Sequence, residues 1–161
     1  MPPIGFAHRG AKAHAPENTI ESFSLARRLG ATGLESDVWC TADGVAVLDH
    51  DGLVGNRLRR RSIASVDRAD LPSHIPTLAD LYDACGTDFE LSLDVKDPAA
   101  LSPTIAVARA ADRDATRRLW LCHHDWRVLA EWRRDYADVR LVDSTRLRHM
   151  RNGPERRAAQ L

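Results

Sequence analysis

The sequence predicts an α/β fold around a parallel sheet, and three observations carry that reading. Short apolar runs alternate with amphipathic segments at helical spacing, and residues of turn and cap type separate them. The 161 residues, 43% of them hydrophobic, suffice for one sizeable core and are short for two. One domain over residues 1–161 is therefore expected.

Ile4 to Ala7 is a short buried-strand pattern. Thr19 to Leu29 then sets Ile20, Phe23, Leu25, Ala26 and Leu29 on one helical stripe. Asn18 is its expected N-cap, Glu21 sits three residues later as in a capping box, and Gly30 is the stop. The run TGLESDVW reads as a strand, and Asp43-Gly44 turns it into VAVLDHD, a hairpin return. Over about residues 52–75 the pattern gives way to a polar, Arg-rich excursion. Helix Thr77 to Ala84, strand FELSLDVK, helix Leu101 to Ala111, strand RLWLC, helix Trp126 to Arg134 and strand VRLVD complete the alternation. The final NGPERRAAQL reads as a helix with Pro154 in its first turn. Alternation of this kind implies parallel strands joined by right-handed crossovers.

Composition narrows the function. Lys plus Arg and Asp plus Glu balance at 23 each, so no global field favours nucleic acid or an anionic membrane. Cys40, Cys85 and Cys122 are odd in number and widely spaced, which fits reduced thiols and not a disulfide framework. There is no basic segment leading into a long apolar stretch, and no run of some 18 apolar residues, so a cytoplasmic protein without a transmembrane segment is expected.

The apolar runs repeatedly end in chemistry: IGFA in His8-Arg9, TGL in Glu35 and Asp37, VAVL in His50, LSL in Asp94 and Lys96. In α/β barrels the carboxyl ends of the strands form the working face, so separate strands would deliver these groups to one place. Glu35 and Asp37 leave the same face of a strand roughly 6 to 7 Å apart. Their mutual repulsion is relieved by a cation, so the pair reads either as oxygen ligands for Mg²⁺ or Ca²⁺ or as two solvated carboxylates. Asp94 and Lys96 likewise share a face, as a third ligand beside a cation for an anionic substrate or as a surface ion pair. His8 and His50 both end strands and suit general acid and base work. Arg9 offers a two-point grip on phosphate oxygens.

In order and spacing, AHRG, PENT, ESDV, VLDHD and LSLDVK resemble the glycerophosphodiester phosphodiesterase family, strongly over Ile4 to Lys96. The resemblance implies a (β/α)8 barrel with the segment after the hairpin as an insertion. It also implies hydrolysis of glycerophosphodiesters to an alcohol and sn-glycerol 3-phosphate with a divalent cation, Mg²⁺ or Ca²⁺. Carried over to this chain, it makes His8 and His50 the acid/base pair, Arg9 and Lys96 phosphate contacts, and Glu35, Asp37 and Asp94 metal ligands, with Glu17 and Asn18 supporting the site. A glycerophosphodiester or a lysophospholipid is the implied substrate class.

Two departures qualify the resemblance. Asp94 stands where the family usually has Glu, one methylene longer. The chain holds about five strand-helix units, so a C-terminally incomplete barrel is expected, and none of Trp39, Trp120, Trp126 and Trp132 sits in the family's C-terminal Trp setting. Such a barrel would expose strand edges and half of an apolar interior, inviting self-association. Two competing functions stay open: a lysophospholipase D-like phosphodiesterase, and an inactive remnant or binding module. Among weaker signals, RLRRR (57–61) reads as a solvated loop. His123-His124-Asp125 reads as structural, because neighbouring residues on a strand point to opposite sides, and His14, His74 and His149 carry no signal.

Overall fold

The computed structural model describes residues 3–56, 59–146, 150 and 153–158. Arg57, Leu58, His149 and the last three residues, which the reading above includes, lie outside them. Strand β1 (Phe6–His8) leads to helix α1 (Ile20–Arg28), β2 (Gly33–Cys40) and β3 (Ala46–Leu48). The two-residue strands β4 (Leu53–Val54) and β5 (Arg61–Ser62) form a small ribbon of their own. Then come α2 (Leu78–Cys85), β6 (Glu90–Val95), α3 (Leu101–Ala111), β7 (Leu119–His123), α4 (Trp126–Asp135), β8 (Arg140–Asp143) and α5 (Gly153–Ala158). Pro154 falls in the first turn of α5, as its fixed φ favours.

The main sheet has the order β1-β2-β6-β7-β8, every neighbouring pair parallel, and β3 returns antiparallel on β2 with Val38 opposite Leu48. This is the parallel sheet the alternation predicts, and it agrees with the partial barrel the resemblance implies. One face of it, carrying Leu34, Val38, Leu91, Leu93, Leu119 and Leu121, is buried with Phe23, Ile105, Leu129 and Trp132 of the crossover helices. Burying apolar side chains of this size contributes about 1.5–3 kcal/mol each, which makes this layer the main source of stability.

The other face differs from the apolar interior expected of an open barrel. It carries Glu35, Asp37, Glu90, Ser92, Asp94, Cys122 and Arg140, with Trp120 among them. The Trp120 indole donates to Glu90 at 2.6 Å, Arg140 pairs with the same carboxylate and lies 4.6 Å over the Trp120 ring, and Phe6 meets Trp120 edge-on. Among the described residues, Phe6 is the large apolar side chain of this face that is exposed. The polar excursion also proves more ordered than its composition suggests. Val54, Ile63, Val66, Leu71 and Ile75 close over Val47 and Trp39 in a second apolar cluster.

Both members of the expected α1 capping box, Asn18 and Glu21, need correction. The N-cap of α1 is Thr19, whose hydroxyl accepts from the Ser22 amide while Ser22 reaches back to the Thr19 amide. Asn18 is instead a left-handed residue at φ 54°, buried one step before the cap. The cysteines are free thiols; burial pushes Cys122, beside the polar face, up to about 11.

Candidate active site

The site is built outward from β2. Strand β6 occupies one edge of β2, so β1, paired over Gly33 to Glu35, and β3, paired over Val38 to Cys40, share the other edge and run toward each other. His8 is in register with Glu35, and the Asp49 amide donates to the Asp37 carbonyl. Two residues of strand, roughly 7 Å, separate those positions, so the turn holding His50 ends beside the end of β1. On the far edge, Asp37 is in register with Asp94, which places the three carboxylates on one face.

The loop after β1 is tightly determined. Arg9, at φ 56°, has its amide on both the Glu35 carbonyl and carboxylate, and its carbonyl accepts from the Asn18 amide and the Ser22 hydroxyl. Asn18 accepts a 2.8 Å hydrogen bond from the fully buried Ser36 hydroxyl. Gly10 has φ +77°, and a Cβ there would lie 2.8 Å from the Ser22 backbone, which is why the segment needs glycine. Glu17 pairs with the Arg9 guanidinium at 3.1 Å.

Lys96 lies between two of the carboxylates that the sequence reading gives to a metal ion. Its ammonium is 2.9 Å from Asp37 and 2.9 Å from Asp94, and these hydrogen bonds outweigh burial to hold it above its ordinary range. Burial pushes the Glu35 carboxyl up to about 7, with the Asp37 and Asp94 charges adding to it, against the opposing hydrogen bond from the Arg9 amide. As the side chains are placed, no three His, Cys, Asp or Glu among the described residues converge as a metal site. The donor chemistry nevertheless suits a hard divalent cation. All three carboxylates supply oxygen, and Asp37 Oδ2 is buried without a hydrogen-bond partner, 3.8 Å from an equally unpaired Arg9 Nε. Glu90, engaged by Trp120 and Arg140, takes no part.

The two histidines are held in opposite senses by partners the sequence reading did not name. Lys12 Nζ lies 2.8 Å from His8 Nδ1. An ammonium only donates, so Nδ1 accepts and the ring proton sits on Nε2, 3.7 Å from Glu35. Burial lowers the His8 pKa, and the Lys12 and Arg9 charges reinforce it. His50 Nδ1 lies 2.7 Å from the Asp51 carboxylate, an acceptor, so there the proton is on Nδ1 and Nε2 carries the lone pair. Lys12, at i+4 in a loop, and Asp51, one of several acidic residues near the hairpin, gave no periodic signal.

Beside Asp94 and Lys96 a cavity of about 520 Å³ opens toward the ends of β7 and β8. His123 and His124 line it with rings stacked at 4.6 Å, contrary to the expectation that they point apart, because β7 ends at His123 and His124 already lies in the turn.

A model of the glycerophosphoryl diester phosphodiesterase family matches residues 8–100, more than half of the chain. The chain belongs to this family. A glycerophosphodiester phosphodiesterase from Caldanaerobacter subterraneus is 31% identical over 121 residues, 65% of this chain and 50% of that protein. The chain thus spans about half or less of the length of these curated relatives. In fold it is similar to a Silicibacter pomeroyi protein provisionally named glycerophosphoryl diester phosphodiesterase, with a TM-score of 0.82, 23% identity and coverage of 99% of this chain and 73% of that one. It is also similar to an Oleispira antarctica phosphodiesterase solved with its product sn-glycerol-3-phosphate, with a TM-score of 0.74, 22% identity and coverage of 86% and 64%. Every short motif that carries the sequence resemblance begins within the matched phosphodiesterase region or immediately before it.

Proposed function

We propose that this chain forms one domain that hydrolyses glycerophosphodiesters to an alcohol and sn-glycerol 3-phosphate, with a divalent cation as cofactor. The observation that carries the proposal is the opposed hydrogen bonding of the two histidines beside a single carboxylate, arginine and lysine cluster. Family membership and the product-bound phosphodiesterase of the same fold support it.

His50, with its free Nε2 and its other nitrogen oriented by Asp51, takes the proton of the nucleophile, water or a substrate hydroxyl. His8 protonates the departing alkoxide from Nε2 while the Lys12 ammonium gives a proton to Nδ1, so the ring stays neutral. Such acid/base work contributes on the order of 10² to 10⁴ in rate. Arg9 grips the phosphate oxygens and is itself aimed by Glu17. Lys96 adds positive charge where negative charge develops. Asn18 holds the Arg9 loop in place. Glu35, Asp37 and Asp94 would hold the cation, which supplies Lewis-acid stabilisation of the phosphoryl oxygens.

No helix among the described residues is long and apolar enough to cross a membrane. A cytoplasmic location and self-association through the open sheet edges complete the proposal. Release of glycerol 3-phosphate from glycerophosphocholine, with Mg²⁺ or Ca²⁺ and with EDTA, tests it directly. Turnover lost in EDTA and in His8→Ala is the expected result. A folded sample that binds phosphodiester without turnover would point to the binding-module reading.

A further inference from the structure

The cavity at the ends of β6, β7 and β8 has a chemistry of its own. One wall is Asp94 and Lys96, so the space is continuous with the phosphate cluster, and about 520 Å³ is ample for one substituent of a phosphodiester. The opposite wall rests on a fixed platform. His123 is buried, its Nδ1 accepts the Asp125 amide at 3.0 Å, and its ring meets Trp132 edge-on, so His124 stacks on a ring that cannot swing away. The exits of β7 and β8 are tied together by Thr145 donating to the His124 carbonyl and by the Ser144 amide on the His123 carbonyl.

Charge separates this cavity from a receptacle for any alcohol. Its lining sets three cations, Lys96, Arg127 and Arg146, against two carboxylates that are both engaged, Asp94 by Lys96 at 2.9 Å and Asp125 by the Arg127 amide at 2.9 Å and its guanidinium at 3.9 Å. Both arginines belong to this lining. The face of Trp126, the group that would otherwise receive a quaternary ammonium, has the Arg127 guanidinium 4.9 Å above it. A cationic head group would meet an excess of positive charge and no carboxylate of the lining left unengaged.

Resting on the phosphodiesterase reading, we infer that this cavity receives the alcohol half of the substrate and selects alcohols that carry their own negative charge, a phosphate monoester or a carboxylate. Arg127 and Arg146 are the specificity determinants, and His124 is the surface against which the alcohol lies.

Calorimetric titration of the full chain carrying His50→Ala, which removes turnover, tests the inference at low salt. The probes are glycerophosphoinositol 4-phosphate, glycerophosphocholine and glycerol 3-phosphate. The anionic diester is expected to bind about 10-fold more tightly than the choline diester, a preference that shrinks as salt rises. Adding Arg127→Gln with Arg146→Gln should bring that ratio to about 1 while the affinity for glycerol 3-phosphate changes by less than about 2-fold. Equal binding of the two diesters, or a preference that survives the arginine substitutions, overturns the inference and leaves the phosphodiesterase reading intact. If none of the three probes binds to a folded sample, the phosphate cluster is not a substrate site and both fall together.

Discussion

Replacing Asn18 by alanine tests the reasoning behind the whole loop after β1. The residue does two separable things: it adopts φ 54°, and its side chain accepts the hydroxyl of Ser36, which is fully buried. A left-handed conformation costs an ordinary L-residue about 1–2 kcal/mol, and leaving a buried hydroxyl without its acceptor costs about 1–3 kcal/mol. Asn18→Ala should therefore lose about 2–5 kcal/mol, and Asn18→Gly, which accepts the backbone angle, about 1 kcal/mol less. Urea unfolding of both variants, with Ser36→Ala and the Asn18→Gly/Ser36→Ala pair, measures each part. The double variant should cost less than the sum of its singles, because each single orphans the other's partner. Equal losses for alanine and glycine would refute the backbone argument. Strict additivity would refute the hydrogen-bond argument. Because the backbone N–H of residue 18 holds the Arg9 carbonyl only while this left-handed turn is kept, phosphate binding should weaken in step with stability.

Four further outcomes are expected. Gly10→Ala should cost at least about 3 kcal/mol in urea unfolding, since a left-handed angle and a close approach to the α1 backbone add. Lys96→Met, leaving Asp37 and Asp94 facing each other without the ammonium, should destabilise by about 2 kcal/mol, with the usual figure for breaking a buried pair reduced because Lys96 is partly exposed. A thermal unfolding midpoint equal to that of the parent would contradict it. Asp51→Asn should lower kcat by about 10- to 100-fold with little change in KM, read from initial rates, because His50 loses its orienting carboxylate. Asp43 lies below its ordinary pKa through hydrogen bonds from the Thr41 hydroxyl and the Arg68 amide. Its contribution to stability is thus present above the unfolded-state carboxylate pKa and lost as pH falls through the lower folded value. The melting gap between the parent and Asp43→Ala should close in acid, and a constant gap would count against the assignment.

The alternation of elements and the collection of polar residues at strand ends were legible in the sequence because both depend on short-range pattern. The α1 cap was not. Asparagine favours N-caps and tolerates left-handed angles for the same reason, a short side chain that bonds locally, and Asn18-Thr19 offered two capping residues in succession. Lys96 could be placed beside Asp94, but its bridge to Asp37 depends on the β2–β6 register, which single-strand periodicity does not encode. The partners Lys12 and Asp51 depend on loop paths, and the stacking of His124 on His123 depends on where β7 stops. The apolar cluster beneath the excursion was missed because its members, from Val54 to Ile75, are too widely spaced to show a period.

The charged and hydrogen-bonded lining of the concave sheet face has a bearing on how copies of this chain can meet. Two such faces pressed together would trap the Glu90–Arg140 pair and the carboxylates around Lys96 away from water, at several kcal/mol for each ion left without a partner. The outer strands β1 and β8 impose no such penalty, because each has a parallel neighbour on one side only among the described strands, and an added strand would satisfy backbone groups rather than strip water from charges. Were copies to meet by lateral extension of the sheet, the polar face would stay wet and reachable by small solutes.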